Sequence, residues 1–243
     1  MSALGHYLEE AGLATVSISL IRPQTENTRP PRALWVPFEL GRPFGPPSDP
    51  AFQRRVLIAA LRLLEHAGGP VLLEDFPDDD PRSEADPGWH PPPLRGAAGE
   101  ADNAALAAAL EAEVLALRGA HQDWIAQFGR TTVGVSGLPI ADAAAYAADW
   151  LRGGNPDSPR EGFSAPLLLR FAVDDLKAYA LEAAAAGMAR PSSKQLGDWL
   201  WNETATGAAI QALRRTLLHA EDQRLRLIAE SFLVPGTRVP ASG

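Results

Sequence analysis

The residues of this chain best placed for chemistry are the polar side chains that follow directly on β-forming segments. Arg22, Thr25 and Glu26 come after Thr15 to Leu20, and Glu39 and Arg42 come after Arg32 to Phe38. Glu74 and Asp75 follow Val71 to Leu73, and Ser136 follows Thr131 to Val135. Ligands of open parallel sheets collect beyond the carboxyl ends of the strands. The candidate ligand-binding set is therefore Arg22, Thr25, Glu26, Glu39, Arg42, Asp75 and Ser136. The planar donor forks of the two arginines suit a carboxylate or a phosphate. The alternative is structural: Arg22 and Arg42 pair with Glu26, Glu39 or Asp75 and hold proline-rich loops together. A third reading makes Glu26, Asp75 or His90 an acid or base, which needs a cleft that perturbs its pKa. No catalytic residue is assigned, and whether the chain is an enzyme stays open.

Other constellations carry less. Asp75, Asp78, Asp79, Asp80 and Asp86 with His90 supply oxygen ligands of the type a hard cation takes. Their spacing lacks the glycine and terminal glutamate of an EF-hand loop, so a solvated acidic loop is expected and no metal site is assigned. Trp89-His90 reads either as a lid or as a loop anchor. His6, His66, His121 and His219 show no metal-ligand spacing and read as surface or capping residues. Ser136 lies in Gly134-Val135-Ser136-Gly137-Leu138, which lacks the second glycine of a nucleophile turn. No dinucleotide fingerprint or phosphate-loop lysine is present, and no cofactor is evident. Trp199 and Trp201 project about 200° apart on a helix. Either one of them is offered to a partner or to the α/β layer, or both pack between helices on two sides of their own; the two arrangements stay open.

Composition narrows the classes. The formal charge is -8, which disfavours a phosphate-backbone binder, so nucleic acid is not an expected partner. The absence of cysteine removes disulfides, thiolate nucleophiles and zinc-thiolate sites. Of the 22 basic residues only Lys177 and Lys194 are lysines, leaving few candidates for a Schiff base. Apolar runs are short or alanine-rich, so no membrane span is expected. Glu9 and Glu10 fall where a secretory signal is apolar, which predicts a cytoplasmic protein.

Residues 2–11 read as a helix with Ser2 as N-cap and Gly12 after its end. Thr15 to Leu20 alternates in strand period, and Arg32 to Phe38 is a second strand ended by Pro37. Gly41 to Pro50 is a stiff proline-glycine loop, after which Ser48 or Asp49 caps a helix running from Phe52 to Glu65. Gly68-Gly69-Pro70 ends that helix ahead of the strand Val71 to Leu73. Residues 77–100 form a long proline-rich loop. A helix over Ala101 to Phe128, a fourth strand over Thr131 to Val135 and a helix over Ala141 to Leu151 follow. Beyond them Asp174 to Ala186, Ser193 to Leu218 and Glu221 to Phe232 read as helices, the middle one divided or bent at Gly207. The expected fold is α/β: a small, mainly parallel sheet of about four strands flanked by helices, with a C-terminal α-helical part. Gly153 to Pro159 is the expected boundary between a domain at 1–152 and a helical region at 160–243.

Ala11-Gly12 before the first strand, Arg32-Ala33 at the second, and Pro37, Gly41 and Pro43 in the loop resemble one part of the B subunits of the glycine, sarcosine, betaine and D-proline reductases. The resemblance covers roughly a quarter of the chain. It implies a small-molecule pocket or an interface to a partner subunit. The family's selenocysteine or cysteine precedes the matching stretch, so no catalytic position carries over. Without a thiol or selenol the chain cannot supply the family's nucleophile. The expectation is a small-molecule-binding protein of this group, catalytically divergent. The alternatives are a non-catalytic subunit or assembly partner using Trp199, Trp201 and the C-terminal helices, with homo-oligomers included, and an acid/base or metal-assisted enzyme at the strand ends.

Overall fold

The computed structural model describes residues 2–66, 71–94 and 102–238. The Gly68-Gly69-Pro70 break and the first residue of the expected helix at Ala101 lie outside them, as does the side chain of Ser2. The chain divides into two compact units, Met1–Glu84 and Ala85–Gly243. Sequence reading put its boundary at Gly153 to Pro159; that stretch instead links two helices that pack on each other within the second unit.

The first unit opens with α1 (Ser2–Glu10) and β1 (Ser17–Ser19). Helix α2 (Arg22–Thr28) comes next, unforeseen because Arg-Pro-Gln-Thr-Glu-Asn-Thr carries no apolar stripe to show helical period. Strand β2 (Arg32–Trp35), helix α3 (Pro50–Arg62) and strand β3 (Leu72–Asp75) complete it. The sheet is parallel in the order β1-β2-β3. It has three strands, against about four expected. Asp49 caps α3, its carboxylate accepting from the Phe52 amide at 3.0 Å, with Pro50 in the first turn where a missing donor costs nothing.

One face of α3 turns Phe52, Val56 and Ala60 against Leu34, Val36, Phe38 and Phe76. Phe38, Phe52 and Phe76 form a mutual aromatic trio with centroids 5.5–5.9 Å apart. Each such side chain contributes about 1.5–3 kcal/mol by leaving water. Gly45, at φ 81°, brings the proline-glycine loop so close that a Cβ there would strike the Phe52 ring. On α1, the Glu9 carboxylate accepts from the Thr15 amide at 2.6 Å and from Arg32 Nη1 at 2.6 Å, tying helix to sheet.

The second unit is helical: α4 (Asn103–Ala116), α5 (Arg118–Phe128), α6 (Ile140–Leu151), α7 (Ala165–Ala184), α8 (Ser193–Glu203), α9 (Ala205–Leu217) and α10 (Gln223–Ser231). Helix α7 is central, packing against α5, α6, α8, α9 and α10, and it buries residues on most of its circumference. That all-round apolarity, opened by Pro166, hid its start from a reading that looked for one stripe. The expected long helix over 193–218 breaks at Thr204 rather than Gly207. The Thr204 hydroxyl donates to the Leu200 carbonyl at 2.6 Å and accepts from the Gly207 amide at 2.9 Å, ending α8 and capping α9 with one group. Gly207 serves the crossing of α8 and α9: a Cβ there would fall on the Leu200 carbonyl oxygen.

The stretch 131–134 has no regular secondary structure and 135–136 form a turn, so the expected fourth strand belongs to no sheet. Its alternation imitates a strand, yet its amides go to carboxylates of α7. Glu182 accepts from the Thr132 amide at 2.7 Å, and Asp175 accepts from the amides of Gly134, Val135 and Ser136 at 2.7–3.0 Å. Buried backbone donors must be paired, and here side chains do what a neighbouring strand does elsewhere.

Candidate functional site

In the first unit the three parallel strands end in one row, with Ser19, Trp35 and Asp75 in register. Residues at matched register share a face of the sheet, so a hydroxyl, an indole and a carboxylate line up at the carboxyl edge. Arg22, in the first turn of α2, reaches across this row. Its Nε donates to both Asp75 oxygens at 3.1 and 3.2 Å, and its Nη1 contacts Glu26 one turn along α2. The hydrogen bond to Asp75 raises the Arg22 pKa further above its ordinary value, with the charges of Asp75 and Glu26 adding to it. Thr25 is buried; its hydroxyl meets that of Ser19 and donates to the Ile21 carbonyl at 2.9 Å.

Arg22, Thr25, Glu26 and Asp75 are therefore brought together. Glu39 and Arg42 form a separate exposed pair at 3.9 Å in the loop after β2. Ser136 lies in the other unit, wholly buried, with its hydroxyl donating to Asp175. The pairings of Arg22 and Arg42 are those of the structural alternative. Ser19 and Trp35 escaped the sequence reading because they are the last strand residues rather than the first loop residues, and only the strand register aligns them with Asp75. The order β1-β2-β3 contains no reversal, so this edge lacks the crevice that doubly wound sheets open at a switch point.

The remaining candidates are structural. Arg55 pairs with Asp78, and Asp86 accepts from the Gly88 and Arg190 amides, which hold its carboxyl below the usual range. Among the described residues no group of three or more His, Cys, Asp or Glu side chains is arranged to hold a metal ion. Nor is any helix among them long and apolar enough to cross a membrane. Trp89 donates to the Ala184 carbonyl at 2.8 Å and packs on the helical core, an anchor for its loop. Trp199 and Trp201 are both buried, at 2% and 8% exposure, because α8 packs on α7 and α9 at once, which is the second of the two arrangements open from the sequence. A shallow depression of about 320 Å³ runs along α10, lined by Gln223, Arg224, Arg226, Leu227 and Glu230.

His121 departs from the surface role expected of it. It is buried, with its Nε2 donating to Glu182 at 2.9 Å and its ring tilted by 39° against that of Tyr179, centroids 4.4 Å apart. Nothing in the sequence spacing linked residues on α5 and α7; only the packing of the two helices does. Glu113, on α4, is buried as well and accepts from the Ala205 and Thr206 amides at 2.7 and 3.0 Å, satisfying the open N-terminus of α9.

Comparison with protein-family models, with curated proteins and with solved structures finds no match to this chain.

Proposed function

We propose that the chain binds a small anionic ligand at the carboxyl end of its three-stranded sheet, as a catalytically divergent relative of the reductase B subunits. The observation that carries the reading is the reach of Arg22 from the end of β1 to Asp75 at the end of β3, 53 positions away. It brings a carboxylate of β3 and one of α2 onto one guanidinium. The Arg22 side chain is 40% exposed, and its partners Glu26 and Asp75 are similarly open. Exposed ion pairs of this type hold weakly, so a ligand carboxylate or phosphate can exchange with the resident carboxylates at small cost. Trp35 supplies an apolar flank, and the Ser19 and Thr25 hydroxyls supply neutral donors. Without a crevice to exclude water, the affinity expected is modest.

The test is a titration of the isotope-labelled protein with inorganic phosphate, acetate and short-chain carboxylates, followed by NMR. Shifts should appear at Ser19, Trp35 and Asp75, vanish in Arg22→Ala and persist in Arg42→Ala. Equal responses in wild type and Arg22→Ala would place the ligand elsewhere.

A further inference from the structure

Between Gly129 at φ 65° and Gly134 at φ 130°, residues 130–133 have no regular secondary structure and are tied to α7. Beyond Gly134 the backbone is gripped on both sides. The amides of residues 134–136 bond to Asp175, and Arg160 Nη1 donates to the Val135 and Ser136 carbonyls at 3.0 and 2.8 Å. Before Gly134 the grip comes from Glu182, which accepts the Thr131 hydroxyl at 2.6 Å and the Thr132 amide and hydroxyl at 2.7 Å each. The Val133 side chain rests on the helical core. Thr131 and Thr132 are themselves exposed, while His121, bonded to the same carboxylate, is buried. Glycines at positive φ can change conformation without the penalty other residues meet, so both ends of the segment are free to pivot.

We propose that residues 130–133 form a flap, hinged at Gly129 and Gly134 and latched by the Glu182 carboxylate, whose opening uncovers the His121–Tyr179 pair. The Asp175 end stays closed, since Asp175 is wholly buried and its segment is also held by Arg160. On α5 the group facing the latch is His121; Arg118, one turn earlier, acts through its charge on the neighbouring Tyr179. Helix α7 adds Tyr179 and, two turns back, Asp175; the flap adds the Thr131 and Thr132 hydroxyls, with Arg130 exposed at its start.

The latch responds to acid. Burial pushes the Glu182 pKa up, but the bonds from Thr131, Thr132 and His121 together outweigh it and hold the group below its ordinary 4.5. A group depressed in the folded state contributes stability that is present above the unfolded value and lost as pH falls through the lower folded value. The flap is therefore closed at neutral pH and released in the acid range below 4.5.

Amide hydrogen exchange, corrected for intrinsic rates, tests this in the full chain at pH 7 for wild type and Glu182→Gln, and in wild type acidified below pH 4.5 as far as far-UV circular dichroism shows the fold intact. In Glu182→Gln the Thr132 amide should lose about tenfold or more in protection while Val135 and Ser136 keep theirs, as expected of local rather than global opening. Carbethoxylation of His121 should accelerate in parallel, and acidified wild type should show the same separation. Common loss of protection at Thr132, Val135 and Ser136, or no loss at Thr132, would overturn the flap. Should Glu182→Gln fail to fold, Thr131→Val, which removes one donor to the latch, takes its place with the same expected order.

Discussion

Carboxylates at the edge of the small sheet and carboxylates inside the helical unit have the same chemistry and opposite uses. Glu26 and Asp75 are half-exposed, and both pair with Arg22, a mobile side chain in contact with water. Asp175 and Glu113 are buried and pair with the fixed backbone amides of 134–136 and 205–206. A carboxylate in water can change partners, whereas one surrounded by preorganised donors in a dry interior cannot be released without orphaning them. The difference teaches where binding and where architecture should be sought: exchangeable polar groups at the sheet edge, committed ones in the bundle. Glu182 stands between the two, committed in its bonds but close to the surface.

The largest effect that would break this comparison is at Asp175. Asp175→Ala strands three amides and a hydroxyl and should cost about 3–5 kcal/mol in urea unfolding, the range for removing the charged partner of a buried network. A cost near zero would mean that water replaces the carboxylate and that the bundle is not built on it. A smaller effect belongs to Gly207→Ala, where the added methyl meets the Leu200 carbonyl. Overpacking of this kind should cost about 1–3 kcal/mol and lower the thermal midpoint. The smallest effect is expected at the sheet edge. Arg22→Ala should leave the denaturation midpoint unchanged within error, and a clear loss would show that the edge is architecture like the rest.

The sequence made much of the fold legible where one stripe or one alternation settles the element. Residues Phe52, Val56 and Ala60 predict α3, and the β-branched run at residues 15–20 contains β1. It misled where the partners of the backbone are distant. Thr131 to Val135 alternates as a strand does, but the donors of that segment are satisfied by Asp175 and Glu182, about forty to fifty positions further on, and no local pattern announces them. The site followed the same rule. Arg22 and Glu26 are neighbours on one helix and were visible together, and Asp75 joined them through the rule that ligands gather beyond strand ends. Trp35 became part of the site only with the register, because its position beside Ser19 and Asp75 is a property of strand pairing rather than of its own surroundings in the chain. The choice between the two arrangements of the α8 tryptophans was not legible, because enclosure of the helix on two sides is a circumstance that single-helix geometry does not contain.

Glu113 also sets an order of events in the making of the protein. Its partners at the start of α9 lie 92 residues downstream. At ordinary synthesis rates that separation corresponds to on the order of ten seconds during which α4 has emerged and α9 has not. Until those amides arrive the Glu113 carboxylate has to find its partners in water, while the contact of α4 with α6 needs no residue beyond Leu151. The seat of α9 on α4 can therefore close only after Ala205 and Thr206 have left the ribosome.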